Sequence, residues 1–375
     1  MNTETRVLTA LRREEPDCVP VFIYLNPYVD AWYTDDPSYA EVLEACKQYA
    51  DIIYNWSFPR GFFCSAVELP SESRAGCDGI IEHILHTPRG PLTSLTAPSW
   101  RGRDVRKRWI CSEEDARRVL SIPYVASRPD LTSFFSTKSR LRTRAVAQVT
   151  LPDPICVIGG ITEEESLAMW TIERRGLIRE LLDVALERLL EILHFCLEHD
   201  VGPIYYFNGP EYALPPLMSP KDFEEFVVEY DTPLVQLIHS YPGKAVIVHS
   251  HGRVNRFLER FAAIGMDGLN VLEPPPMGDT VLSDAKRRVG DRLCLIGNIQ
   301  YDDLVRGSKQ ELDYLVREAI RQGAPGGGFI LSPCASPYER PLPQKASEHL
   351  VYYLTKGRAY GRYPRRLRMD RTMDS

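Results

Sequence analysis

The chain has 375 residues, 44% of them hydrophobic and 26% charged, with a formal charge of −6. Such a composition can bury a sizeable core and excludes general disorder, and the acidic balance lacks the electrostatic footprint of a nucleic-acid binder. No stretch approaches the roughly 18 apolar residues of a membrane span, and residues 1–16 are polar where a secretory leader needs an apolar run, so a cytoplasmic protein without membrane partners is expected.

After this N-terminal extension, short apolar runs bounded by turn residues predict buried strands at 19–24, 52–55, 155–159, 204–208, 245–249, 268–272, 294–298 and 329–332. Helices are predicted at 39–49, 174–199, 220–241, 254–264, 282–289 and 309–322. The second is the clearest, with Leu177, Ile178, Leu181, Leu182, Ala185, Leu189, Ile192 and Leu193 at helical spacing. Near-continuous apolar strands alternating with amphipathic helices imply an α/β fold with a parallel sheet, and about eight strands favour a (β/α)8 TIM barrel.

A gap of about a hundred residues between the second and third strands reads as an insertion at 60–150. It holds a hairpin over 80–95 around Thr87-Pro88-Arg89-Gly90-Pro91 and a helix over 112–120 opened by Ser112 with Glu113 and Glu114 behind it. Neither a repeat nor a linker divides the chain, so residues 1–375 are expected to form one domain. The end, 358–375, is locally basic (Arg358, Arg362, Arg365, Arg366, Arg368, Arg371) and reads as a solvated tail.

Nine cysteines, an odd number with no CxxC pair, argue against a disulfide framework. Cys18, Cys156, Cys196 and Cys294 lie in apolar runs and read as small buried hydrophobes. Gly326-Gly327-Gly328 precedes a strand, whereas a dinucleotide fingerprint opens a helix after one. His83, His86, His194, His199, His239 and His349 lie in the hairpin or beside helices and read as packing or surface residues.

In a parallel barrel the chemistry comes from strand C-terminal ends. Here these read Asn208-Gly209-Pro210-Glu211-Tyr212, His249-Ser250-His251-Gly252, Leu272-Glu273-Pro274, Gly297-Asn298-Ile299-Gln300 and Pro333-Cys334. His249, His251 and Cys334 form a candidate metal set. Zinc accepts mixed imidazole and thiolate ligands and keeps a fourth position open in catalytic sites, although two histidines and a cysteine also suit copper. Glu211 is a candidate fourth ligand or general base, with a loop-capping carboxylate as the structural alternative.

Further motifs carry a family resemblance: Leu217-Met218-Ser219-Pro220 followed by Phe223 and Phe226, His249-x-His251-Gly252, Gly265-Met266-Asp267-Gly268-Leu269-Asn270, Gly290-Asp291-Arg292 leading to Gly297-Asn298-Ile299, and Gly327 through Cys334. Together they resemble the uroporphyrinogen decarboxylase superfamily, in particular its corrinoid-linked methyltransferase branch, similar to methylcobamide:coenzyme M methyltransferases. The likeness spans roughly 155–353; the first 150 residues match mainly through Gly79 and the Thr87-Pro88-Arg89-Gly90 hairpin. It implies a (β/α)8 barrel and, in that branch, zinc held by His-x-Cys and a distant cysteine. His249 and Cys334 match that pattern, and His251 stands where the first cysteine would be.

Tyr24-Leu25-Asn26-Pro27-Tyr28-Val29 replaces the arginine-rich signature of the porphyrinogen decarboxylases, which argues against porphyrinogen as substrate. An imidazole in place of a thiolate removes one negative charge and should make zinc a stronger Lewis acid. The resemblance implies methyl transfer between a small methylated substrate, or a methyl acceptor, and a corrinoid (cobalamin) cofactor on a partner protein. Tyr24, Asn26, Tyr28, Asn208 and Glu273 are expected to bind substrate, and Glu211, Asn298 and Tyr212 to act in catalysis, with Tyr205 and Tyr206 as further pocket tyrosines. A metal-dependent hydrolase or lyase, a decarboxylase of a non-porphyrin substrate and a non-catalytic binding barrel stay open as alternatives.

Overall fold

A computed structural model describes residues 1–99 and 102–363. Seven parallel strands form one sheet in the order β1 (Ile52–Ser57), β6 (Ala145–Pro152), β7 (Ile204–Asn208), β8 (Ala245–His249), β9 (Gly268–Asn270), β10 (Cys294–Ile299) and β11 (Phe329–Pro333). The intervening strands β2 (Ser71–Ala75), β3 (Ile81–Thr87), β4 (Gly90–Ser99) and β5 (Gly102–Lys107) make a separate antiparallel sheet.

The architecture is the expected parallel α/β sheet, curled as in a TIM-like barrel, but eight regular strands do not close it. The predicted first strand, 19–24, makes only an isolated parallel bridge between Val21 and Leu331. Phe22 N–H donates to Leu331 O (2.8 Å), Leu331 N–H to Pro20 O (3.0 Å) and Asp51 N–H to Val21 O (2.8 Å), so the segment lies between β11 and the approach to β1. Pro20 has no N–H to give, which interrupts a ladder there.

The predicted third strand is a second correction. Residues Pro154–Gly159 are a helix, and the strand is Ala145–Pro152, buried along its whole length. A short apolar run cannot distinguish strand from helix, and here the start signals decide: Asp153 caps the helix by accepting from Cys156 N–H (2.7 Å), and Pro154 takes its first position. The predicted sixth strand also shortens, to Gly268–Asn270. The helix predicted over 174–199 is observed at Arg175–Glu198, and Ser112 caps the helix Glu113–Leu120 by accepting from Asp115 N–H.

The N-terminal extension is a helix, Thr3–Leu11, rather than a loose lead-in. Its Val7, Ala10 and Leu11 pack with Val146, Ile204, Ala245, Ile247, Cys294, Ile296 and Ile330 from the sheet, stopping the end where the strands begin. At the other terminus the helix Gln344–Tyr360 runs through Arg358, which donates to Asp51 Oδ2 (2.8 Å) and to Cys18 Sγ (2.8 Å). The tail reading is therefore corrected at Arg358, which is structural; Arg365, Arg366, Arg368 and Arg371 lie outside the described residues. Cys18 is buried as expected but serves as a hydrogen-bond acceptor. Among the described residues no helix is long and apolar enough to cross a membrane.

The antiparallel sheet is fastened to the main one rather than swinging free. Arg108 N–H donates to Glu163 Oε1 (2.7 Å), Ile110 bridges Thr162, and the Arg108 guanidinium reaches Gly159 O (3.0 Å) and the Tyr212 hydroxyl (3.4 Å).

Candidate functional site

Three adjacent strands end side by side. Asn208 pairs in register with His249, and His249 with Asn270, which places three polar side chains in one row at the open end of the sheet. The turn after β7 passes so close that a Cβ on Gly209 would lie 2.5 Å from His249 O, and glycine is the residue that fits there. Inside the sheet opens a cavity of about 690 Å³ that Asn208, His249 and Asn270 help to line. A second depression, of about 1210 Å³, is lined instead by the N-terminal helix and by Arg144, Arg358 and Tyr28, away from the strand ends.

His249 is held on one side of its ring. Its Nδ1–H donates to Asn270 Oδ1 (2.8 Å), and the Tyr206 hydroxyl lies 2.6 Å from the same nitrogen while donating to Asn270 Oδ1 at 2.8 Å. Because Asn270 Oδ1 only accepts, the ring proton belongs on Nδ1, leaving the Nε2 lone pair free. Burial pushes the His249 pKa down to about 4, so the ring is neutral near pH 7.

His251 is arranged in the same sense by a carboxylate. Its Nδ1–H donates to Glu273 Oε1 (3.1 Å), and Glu273 Oε2 accepts from Gly252 N–H (2.7 Å). The hydrogen bond to Glu273 raises the His251 pKa. On Glu273, burial pulls the other way, but the bonds from His251 and Gly252 hold the carboxyl below its ordinary range. The two imidazole rings stand edge to face with centroids 4.7 Å apart. Nδ1 committed to an acceptor and Nε2 left bare is the arrangement outer-shell partners impose on metal-binding histidines.

The third expected ligand is less well placed. Cys334 is buried, its N–H donating to Ile299 O (2.8 Å), and burial together with the charges of Glu273 and Asp303 pushes its thiol up. Among the described residues no three His, Cys, Asp or Glu side chains gather closely enough to cage a metal ion. The two histidines thus meet a metal's demands by their hydrogen bonding, whereas Cys334 shares their electrostatic neighbourhood without closing a three-donor set.

Glu211 sits on the short helical turn Pro210–Ala213, and burial raises its carboxyl, with the charges of His251 and Glu273 acting in opposite directions. Its Oε2 is buried without a hydrogen-bond partner among the described residues, an arrangement suited to a group that holds a proton for transfer. Tyr24 donates to Asn270 Oδ1 (3.0 Å); although 36% of its surface is open, its hydroxyl sits in low-dielectric surroundings that push the phenol up to about 12.

The remaining candidates divide. Asn26 lines the cavity, but both ends of its amide are used, donating to Ile53 O (3.0 Å) and accepting from Tyr28 N–H (2.9 Å), so it braces the loop. Tyr28 lies under the Arg144 guanidinium, 5.6 Å from its ring, and faces the second depression. Tyr212 packs on Gly159, where a Cβ would come within 2.5 Å of its ring, and receives Arg108, making it an anchor for the insertion. Asn298, on β10 opposite Ser332, is not among the cavity-lining residues. Tyr205 is fully buried, while Tyr206 faces the cavity.

Sequence reasoning missed Asn55, Gln148 and Thr150, which line the same cavity from β1 and β6. The available signal was a glutamine and a threonine inside the apolar run from Ala145 to Pro152, which is unusual for a strand buried on both faces.

A family model described as uroporphyrinogen decarboxylase matches residues 145–343. A uroporphyrinogen decarboxylase from Pseudoalteromonas translucida (strain TAC 125) is 29% identical over 119 residues, which are 31% of this chain and 32% of the relative. One from Tolumonas auensis is 31% identical over 123 residues, with the same shares. The matched stretch thus spans about a third of the length of these curated relatives. A solved structure described as a methyltransferase from Methanosarcina mazei superposes over 95% of this chain and 99% of its own, with a TM-score of 0.61 at 18% identity, which is a likeness of fold.

Proposed function

The chain belongs to the uroporphyrinogen decarboxylase family, and from that premise we propose that it is a cytoplasmic methyltransferase. It moves a methyl group between a small substrate in the sheet cavity and a corrinoid carried by a partner protein, with zinc as its resident metal. The observation that carries this reading is the pair His249 and His251, each with Nδ1 held by an acceptor and Nε2 free at the strand end. The fold neighbour described as a methyltransferase agrees with it.

In this reading His249 and His251 would hold the zinc through their free Nε2 atoms, Cys334 would have to shift towards them to join as third ligand, and the ion would supply Lewis-acid polarisation of the substrate heteroatom. The protein's own side chains do the rest. Asn270 and Tyr206 fix the His249 ring, and Glu273 fixes His251, so neither imidazole has to reorganise. Glu211, with its raised carboxyl, gives a proton to the heteroatom as the methyl group leaves, or takes one from it as the methyl group arrives. The partnerless Glu211 oxygen equally supports a second reading, metal-dependent hydrolysis with Glu211 as base.

Metal analysis by plasma mass spectrometry on untagged protein tests the assignment. Near-stoichiometric zinc is expected in the wild type and a loss in His249→Ala, His251→Ala and Cys334→Ala. Wild-type protein that is folded, metal-free and cannot be loaded sinks the zinc reading. Turnover of substrate without any corrinoid protein moves the assignment to hydrolysis.

A further inference from the structure

The cavity is unusual for what its lining lacks. Among the described residues that line it there is no lysine or arginine, and its one carboxylate, Asp30, is exposed on the loop after the first segment. The polar groups facing it from the strands are the His249 imidazole on β8 and neutral amides and hydroxyls, notably Asn55 on β1, Gln148 and Thr150 on β6, Asn208 on β7 and Asn270 on β9.

These groups are only half used by one another. Asn55 Oδ1 accepts from Gln148 Nε2 (3.3 Å) and from the Thr150 hydroxyl, which leaves the Asn55 amide N–H groups to donate and Gln148 Oε1 to accept. The Asn208 side chain, at the exposed end of β7, has no hydrogen-bond partner among the described residues. Tyr24, Tyr54 and Tyr206 add aromatic surface beside this polar belt.

Away from the zinc proposed at His249, an anion entering such a cavity gives up its hydration and meets no lysine or arginine to replace it. A neutral molecule of the same shape loses only hydrogen bonds that the free donors and acceptors restore.

We propose that this cavity takes an uncharged, aromatic-sized molecule that both donates and accepts hydrogen bonds, that it rejects anions of the same shape, and that Asn208 sets this preference. The proposal rests on the reading of this cavity as the substrate site.

Isothermal titration of the full chain, stripped of metal so that a carboxylate has no zinc to ligate, with 2-methoxybenzamide and 2-methoxybenzoate at pH 7 separates charge from shape. The amide is expected to bind at least about tenfold tighter, the equivalent of about 1.4 kcal/mol. Asn208→Arg, whose folding is checked by circular dichroism, is expected to reverse the order, since guanidinium pairs well with carboxylate. Benzoate binding as tightly as the amide in the wild type, or binding by neither, overturns the proposal. The titration needs no turnover: binding in the expected order by a protein that never passes a methyl group to a reduced corrinoid protein would remove the methyltransferase reading and leave this one standing.

Discussion

Where the strands begin, Asp51 is fully buried and both its carboxylate oxygens are taken, one by Arg6 at 2.6 Å, the other by Arg358 at 2.8 Å and Val21 N–H at 3.1 Å. Where the strands stop, Glu211 Oε2 and Ser250 Oγ are buried with no partner among the described residues, and two imidazoles keep a nitrogen bare. Around Asp51 the polar groups are spent on holding the chain together; around the two imidazoles several are kept in reserve. A saturated network marks architecture, and unsaturated buried atoms mark the place a ligand completes.

The contrast breaks most severely at Asp51. Asp51→Ala leaves Arg358 largely buried without its ion-pair partner and Arg6 with Asp17 alone, and is expected to lower unfolding free energy by about 3 kcal/mol, read by urea denaturation, while sparing metal binding. A loss below about 1 kcal/mol would show that the network is ornamental.

The second test sharpens the contrast through pH. The folded pKa of His249, about 4, lies below that of a free imidazole, so the unfolded chain takes up the proton first. Its neutral form therefore contributes stability that is complete above about pH 6.5 and is lost as pH falls towards 4, by about 3 kcal/mol at most. Denaturation of the metal-free protein across that window should show the decline, and His249→Asn should flatten it; an unchanged slope assigns the effect elsewhere.

The smallest effect concerns His251 and Glu273. The His251 pKa is raised and that of Glu273 lowered, so their mutual contribution exists between those two values, fading as pH rises through the first or falls through the second. Because 44% of the His251 side chain is exposed, solvent screening holds it below about 1 kcal/mol. Glu273→Gln should return the His251 titration, followed by NMR, towards that of an ordinary histidine; no movement means Glu273 does not orient the ring.

Much of the open end was legible in the sequence because strand-end chemistry is written in adjacent residues: His249 and His251 announce themselves, and Asn208 and Glu211 follow one strand directly. Tyr206 and Glu273 were picked out only as pocket or substrate-binding residues, and Asn270 as part of a family motif; their role in holding the imidazoles was not legible, because it arises from pairing between neighbouring strands. The same limit hid the saturated end, where Arg6, Asp51 and Arg358 meet across more than three hundred residues of chain. Local punctuation also misled: 155–159 carries a strand's composition, and only the Asp153-Pro154 start signal turns it into a helix.

The helix Thr3–Leu11 has a consequence for how the chain is made. It leaves the ribosome before any strand it will rest on, yet its seat includes Ile330. At ordinary elongation rates of about 5–20 residues per second, the apolar face of Val7, Ala10 and Leu11 waits about 15–60 s for that last wall to be synthesised. The first helix is therefore the first element made and among the last to have its seat completed, so the newborn chain carries part of that apolar face uncovered until its final strand arrives.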